Sequence, residues 1–289
     1  MGYTSTVTGG TVENTGSGAA ISAIGTVKLL GGTVAYTGTE PYAVIVNGST
    51  AKLIVSSGSQ INSSVNGVKL MSGTMEMTGG TVSVNSAAVS VSDGCSLTMN
   101  GGTLEGGNSG YGYGIYMTGG KAVVSSGTVS GTSATAVYVS GTGELELSED
   151  AIISGSLFGI SAVKSAAVTM LGGQVKGTGS AGVGISLQDT STLNMQGGAV
   201  TGVTGGISVD STATAAISGG TVTITTTDPV TLKAYAVSGP FTFSGTARLR
   251  AYSNESLFSG NIDTGGVEYY IPTTPEADGY YTFTLPITG

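Results

Sequence analysis

Four tyrosines and one lysine are the residues of this chain whose types and spacing point most directly to chemistry. Tyr111, Tyr113 and Tyr116 crowd a short glycine-rich stretch, Tyr138 follows, and Lys69 lies upstream, all in a background of Ser, Thr, Asn and Gly. Exposed aromatic rings beside hydroxyls and amides suit sugar rings, which stack through their C–H faces and hydrogen-bond through their hydroxyls. The same tyrosines also suit a plain sheet face, where paired aromatics stabilise neighbouring strands by roughly 0.2–1 kcal/mol.

Acid/base chemistry has fewer resources. The chain contains no histidine, which removes His-based proton transfer, the commonest metal ligand and any Ser-His or Cys-His nucleophile. Its 17 acidic residues are dispersed. The densest acidic run is Glu144, Glu146, Glu149 and Asp150. A hard cation needs several converging oxygens, but alternation sends Glu144 and Glu146 outward around Leu145 and leaves Glu149 and Asp150 in a turn. No acidic calcium loop or glycine-rich nonapeptide repeat is present, so we expect a solvated face, no metal and no cofactor. Cys95, the single cysteine, is in phase with Leu97 and Met99 and reads as an inward apolar filler. Lys69, Glu76 and Lys121 are the one trio that polysaccharide cleavage could recruit.

Everything that must hold these residues in place comes from a repeat. A Gly-Gly-Thr-Val-like step begins at Gly9 and recurs at Gly31, Gly79, Gly101, Gly172, Gly197 and Gly219, with degenerate copies at Ser57-Gly58, Ser126-Gly127 and Glu149-Asp150. The spacing of 22 to 26 residues marks a stacked architecture in which each unit buries its apolar face only against its neighbours. Aligned on the second glycine, the copies place Thr11, Thr33, Ser59, Thr81, Thr103, Thr128, Ala151, Gln174, Ala199 and Thr221 in one column. An apolar column follows, including Val12, Val34, Val82, Leu104, Val129, Ile152 and Val175, in which Gln60 is the one break, rescued by Ile61. This period-two alternation of β-branched residues describes a short strand.

Two further segments complete each period. One reads small, apolar, variable, apolar, as in Ala43-Val44-Ile45-Val46, Gly114-Ile115-Tyr116-Met117 and Gly184-Ile185-Ser186-Leu187. The other is apolar, polar, apolar, as in Met75-Glu76-Met77 and Leu145-Glu146-Leu147. Three strands separated by Gly, Ser, Asn and Asp turns amount to one coil of a parallel β-helix. The outward column of the second strand then runs Ser22, Ile45, Lys69, Ser90, Tyr116, Tyr138, Ser161, Ser186 and Ser208, which puts Tyr116 and Tyr138 on consecutive coils. Glu13 and Glu105 fall four coils apart, about 19 Å at one strand spacing per coil, too far to act together.

Coils of this length with three strands resemble the right-handed parallel β-helix of pectin-lyase-like proteins, and residues 4–250 resemble the Gly-Gly-Thr-Val-type repeats of large bacterial surface and adhesin-like proteins. The resemblance implies an all-β solenoid of about 10–11 coils, a rod on the order of 50 Å long. We assign residues 1–247 to the repeats and 248–289 to a degenerate last coil with an aromatic-rich cap, or to the start of a following domain. Within the latter, Glu268 to Pro272 and Tyr280 to Leu285 are expected to pair around Pro275–Gly279.

Composition narrows the role. Charged residues are only 9% of the chain and the net charge is −8, so no basic stripe exists to bind nucleic acid. No apolar run is long enough to insert in a membrane, and a soluble protein is expected. The start carries no signal peptide and both ends are abrupt, which suggests a segment with flanking domains in a longer chain. Low cysteine with abundant Ser, Thr and Gly is similar to exported proteins of Gram-positive bacteria. The resemblance therefore implies a non-enzymatic extracellular module of the cell surface, structural or adhesive, with a glycan or host surface as partner near Tyr111, Tyr113, Tyr116, Tyr138 and Lys69. The alternatives are a polysaccharide lyase or glycoside hydrolase with a degenerate site, a trimeric phage fibre, and an ice-binding Thr ladder, the last weakened by gaps in the Thr column.

Overall fold

The computed structural model describes residues 3–107, 112–228 and 234–286. It is a parallel β-solenoid of about 11 turns with one short 3₁₀ turn, Asn254–Ser256, and no α-helix among the described residues. The coils lay strands on three faces, and the strands within the rod pair in parallel with their counterparts on the coils before and after. In several coils the chain stays extended around a corner. Tyr42–Val55 and Asn66–Met77 run from the second face to the third, and Ser96–Gly106, Lys121–Gly131 and Glu144–Gly155 from the third to the first. The ladder register shifts at these corners, for example between Met99, Asn100 and Thr103.

The core is a set of like-residue ladders. Val34, Ile61, Val82, Leu104, Val129, Ile153, Val175, Val200 and Val222 point inward from the first face; Val44, Val68, Val89, Ile115, Val137, Ile160, Ile185 and Ile207 from the second; and Leu53, Met75, Leu97, Leu145, Val168 and Leu193 from the third. These apolar ladders follow from the alternation, because successive side chains in a strand point to opposite sides. Cys95 is buried, its thiol donates to the Leu70 carbonyl at 3.4 Å, and burial pushes its pKa up.

Glycines set the corners. The second glycine of the repeat is left-handed in copy after copy, with φ of +83° at Gly32, +81° at Gly80, +91° at Gly102 and +82° at Gly198, a conformation glycine adopts without steric cost. The small residue that opens the second-face strand has another origin. A Cβ at Gly67, Gly159 or Gly184 would crowd the Cγ1 of the first-face valine across the interior. The narrow cross-section admits one large side chain there, and the valine supplies it.

Two assignments along the first face change. Gln60 pairs with Thr33 and Thr81 and is exposed, while the buried Ile61 pairs with Val34 and Val82. Gln60 is therefore an outward residue and no defect of the core. Ser59 takes the place of the second glycine, buried, with its hydroxyl donating to the Leu29 carbonyl at 2.8 Å. In the Glu149-Asp150 copy, Thr128 pairs with Ile152 and Val129 with Ile153, so Ile153 is inward and Ile152 lies outside, 37% exposed. Both copies carry extra residues at the corner, and the left-handed residue moves upstream to Gly58 and Glu149. Glu149 and Asp150 thus lie at the corner between the third and first faces, within a segment whose pairing runs on from Glu144 to Gly155.

The C-terminal region also differs. Arg248–Ala251 pairs in parallel with Thr221–Ile224, and Phe258–Ser259 and Ile262–Asp263 continue the other two faces. Tyr281–Phe283 then pairs antiparallel with Arg248–Ala251, whereas residues 268–272 form no strand. The expected partnership between those two segments is replaced by one with the last first-face strand, whose free edge offers unpaired backbone groups. Phe283 is buried among Phe243, Phe258 and Tyr269, with ring centroids 5.2–5.4 Å away. Arg250 pairs with Glu276 and Asp278 and lies over the Tyr280 ring at 4.5 Å.

Candidate functional site

The second face carries the candidate site, and its outward column has the composition expected of it. Cα pairing runs Ser22, Ile45, Lys69, Ser90, Tyr116, Tyr138, Ser161, Ser186 and Ser208 without a break. Stacked parallel strands place successive members about 4.8 Å apart, and side chains long enough to lean along the ladder touch.

Tyr116 and Tyr138 stack face to face, with centroids 5.3 Å apart and planes 8° from parallel. Tyr113, just before the strand Ile115–Met117, tilts against both, 5.3 Å from Tyr116 and 5.6 Å from Tyr138. Burial, with the neighbouring Tyr138 and Tyr42 phenols adding to it, holds the Tyr116 phenol above its usual pKa, so it stays a hydroxyl donor through neutral pH. Tyr111 lies outside the described residues.

On the other side of Tyr116 the column drops to Ser90, and beside it a cavity of about 270 Å³ opens, lined by Tyr42, Asn66, Ser86, Ala87, Ser90, Tyr113 and Tyr116. Ser90 is 1% exposed. Its Oγ is the one buried side-chain oxygen or nitrogen among the described residues without a hydrogen-bond partner. Asn66 is held at the rim by both ends of its amide: Nδ2 donates to the Pro41 carbonyl at 2.7 Å and Oδ1 accepts from the Ala87 N–H at 3.0 Å. The Lys69 ammonium lies 5.7 Å from the centre of the Tyr42 ring, a cation–π contact.

Tyr42, Asn66 and Ser90 were not among the residues expected at the site. The small side chain at position 90 looked like one more serine of the column, and only its flanking by Lys69 and Tyr116 turns it into the floor of a cavity. A signal was present for Tyr42, which opens the same second-face segment as Ile45.

The trio Lys69, Glu76 and Lys121 does not converge. Glu76 is on the third face and pairs with Lys52 at 2.6 Å, Lys121 pairs with Glu146 at 3.5 Å, and Lys69 is on the second face over Tyr42. Each carboxylate has a lysine on the preceding coil, registered opposite the residue two places before it, because long side chains on one face also reach their diagonal neighbours across the ladder. Glu76 and Glu146 are separated by Thr98 and Val123 in register. No group of three or more Cys, Asp or Glu able to hold a metal ion occurs among the described residues.

No curated protein and no solved structure matches this chain significantly. A family model described as the right handed beta helix region matches residues 66–222, more than half of the chain and the part that carries Lys69, Ser90, Tyr113, Tyr116 and Tyr138. With the stacked three-stranded coils, the unbroken parallel ladders and this match together, the chain belongs to the right-handed β-helix family.

Proposed function

We propose that the protein is a non-enzymatic extracellular module, a rigid structural and adhesive segment of a cell-surface protein, that binds glycan on its second face. The observation that carries this reading is the tyrosine cluster next to a cavity whose floor holds an unsatisfied hydroxyl. Aromatic faces together with unpaired hydrogen-bonding groups complement a molecule that has both C–H faces and hydroxyls. The scaffold suits the role, since ladders locked on three faces hold the rings in fixed positions and little order has to be gained on binding. The dispersal of the carboxylates and the pairing of Glu76 and Lys121 with other residues support a binding role over a catalytic one.

A glycan array probed with the purified protein and with Tyr116→Ala/Tyr138→Ala tests the proposal. Selective binding by the parent, reduced at least tenfold in the double variant, is expected. Absence of binding to every glycan, or cleavage of uronate polymers that Glu76→Gln abolishes, would overturn it.

A further inference from the structure

Tyr116 and Tyr138 each cover one face of the other, and Tyr113 leans against both. The next residue in the column is Ser161 beyond Tyr138 and Ser90 beyond Tyr116. On the Ser90 side lies the cavity that Tyr42, Asn66 and Tyr116 line together.

Building on the glycan reading above, we infer that the ligand is a single pyranose ring, the terminal sugar of a glycan, seated between Tyr42 and Tyr116 with the Ser90 hydroxyl as its floor. A polysaccharide laid along the Tyr116–Tyr138 stack is the arrangement this excludes. Three observations converge on the slot. Its volume of about 270 Å³ lies just under the roughly 300–1,000 Å³ of pockets that enclose drug-sized ligands, so it has room for one ring and not for several. Its walls are aromatic while its floor and rim are polar, and a pyranose presents that combination: an apolar face of C–H groups and an edge of hydroxyls. Finally, Ser90 Oγ is buried with no protein partner, a state that costs about 1–3 kcal/mol unless solvent or a ligand supplies the bond.

The rim completes the recognition. Asn66 makes one hydrogen bond with each end of its amide, and each end can make one more. Its two backbone contacts fix the amide, so a sugar hydroxyl meets a group already in place. Lys69 follows Ser90 in the column on the side away from Tyr116, with its ammonium over the Tyr42 ring. A purely aromatic ligand would fill the walls and leave Ser90 unanswered.

Methyl glycosides of galactose, glucose, mannose, fucose and N-acetylglucosamine, titrated by calorimetry and by saturation-transfer NMR, test the slot. At least one should bind the parent protein, with transfer strongest to the protons of one ring face. Ser90→Ala removes only the hydroxyl and is expected to weaken binding about fivefold to tenfold, the loss of one hydrogen bond. Ser90→Leu fills the floor and should abolish binding, while Ser186→Ala, in the same column two coils beyond Tyr138, should leave it within about twofold. Unchanged melting temperatures for Ser90→Ala and Ser186→Ala control for folding. If oligosaccharides bind but no monosaccharide does, and the Ser90 variants match the parent, the slot is wrong and the glycan reading survives. Failure of every carbohydrate overturns both, and preferential binding of phenol or indole over all glycosides overturns the sugar assignment.

Discussion

Gln60 shows how one residue reports on register. Alignment on glycine places it in the apolar column; hydrogen-bonded pairing places it outside, opposite Thr33 and Thr81. The discrepancy is a single position, and in a strand a single position reverses which side of the sheet a residue faces. Gln60→Val should therefore change stability by no more than about 0.5 kcal/mol, as at most surface sites. Ile61→Ala should cost about 2–5 kcal/mol as a cavity in a close-packed ladder. Denaturant unfolding of the two variants checks the pair, and a large gain from Gln60→Val with a small loss at Ile61 would restore the glycine-based register. The inward and outward sense of Lys69, Ser90, Tyr116 and Tyr138 was legible in advance because no extra residue disturbs the second-face strands.

Among the elements, the corner decides how closely coils stack. At Gly102 φ is +91°, and an added Cβ would lie 2.5 Å from Met77 Cε and 2.7 Å from the Gly80 carbonyl oxygen. Gly10, in the first coil, has φ of +76° but no atom within 4 Å of such a Cβ. Gly102→Ala combines backbone strain of about 1–3 kcal/mol with a clash against the preceding coil, whereas Gly10→Ala carries only the strain. Melting of the two variants should show the larger loss at Gly102, and equal losses would mean that conformation alone sets the corner. The glycine repeat reveals where the corners are. Which corner presses on its neighbour depends on the coil beneath, and no single period contains that information.

For the whole molecule, each coil is stabilised by the two beside it, so the ends govern integrity. Phe283 anchors the segment that covers the last first-face strand, in contact with rings from three other segments. Phe283→Ala should cost about 3–5 kcal/mol and uncover the edge of Arg248–Ala251, an exposed template for strand addition. Calorimetry should show a lower melting temperature and light scattering an increased tendency to associate. A variant that melts like the parent and stays dispersed would show that the cap is held by the Arg250 cluster instead.

By itself the sequence determined the solenoid, the three faces and the order of residues in the outward column of the second face. Those properties follow from alternation within strands and from a period that repeats, both local in the chain. The tertiary structure alone decided that Tyr113 leans on both stacked rings, that Tyr42 and Asn66 close a cavity, that Ser90 lies buried without a partner and that Tyr281–Phe283 seals the last coil. Each of these is a contact between segments joined by turns of unequal length, and where two such segments meet depends on how the intervening coils pack.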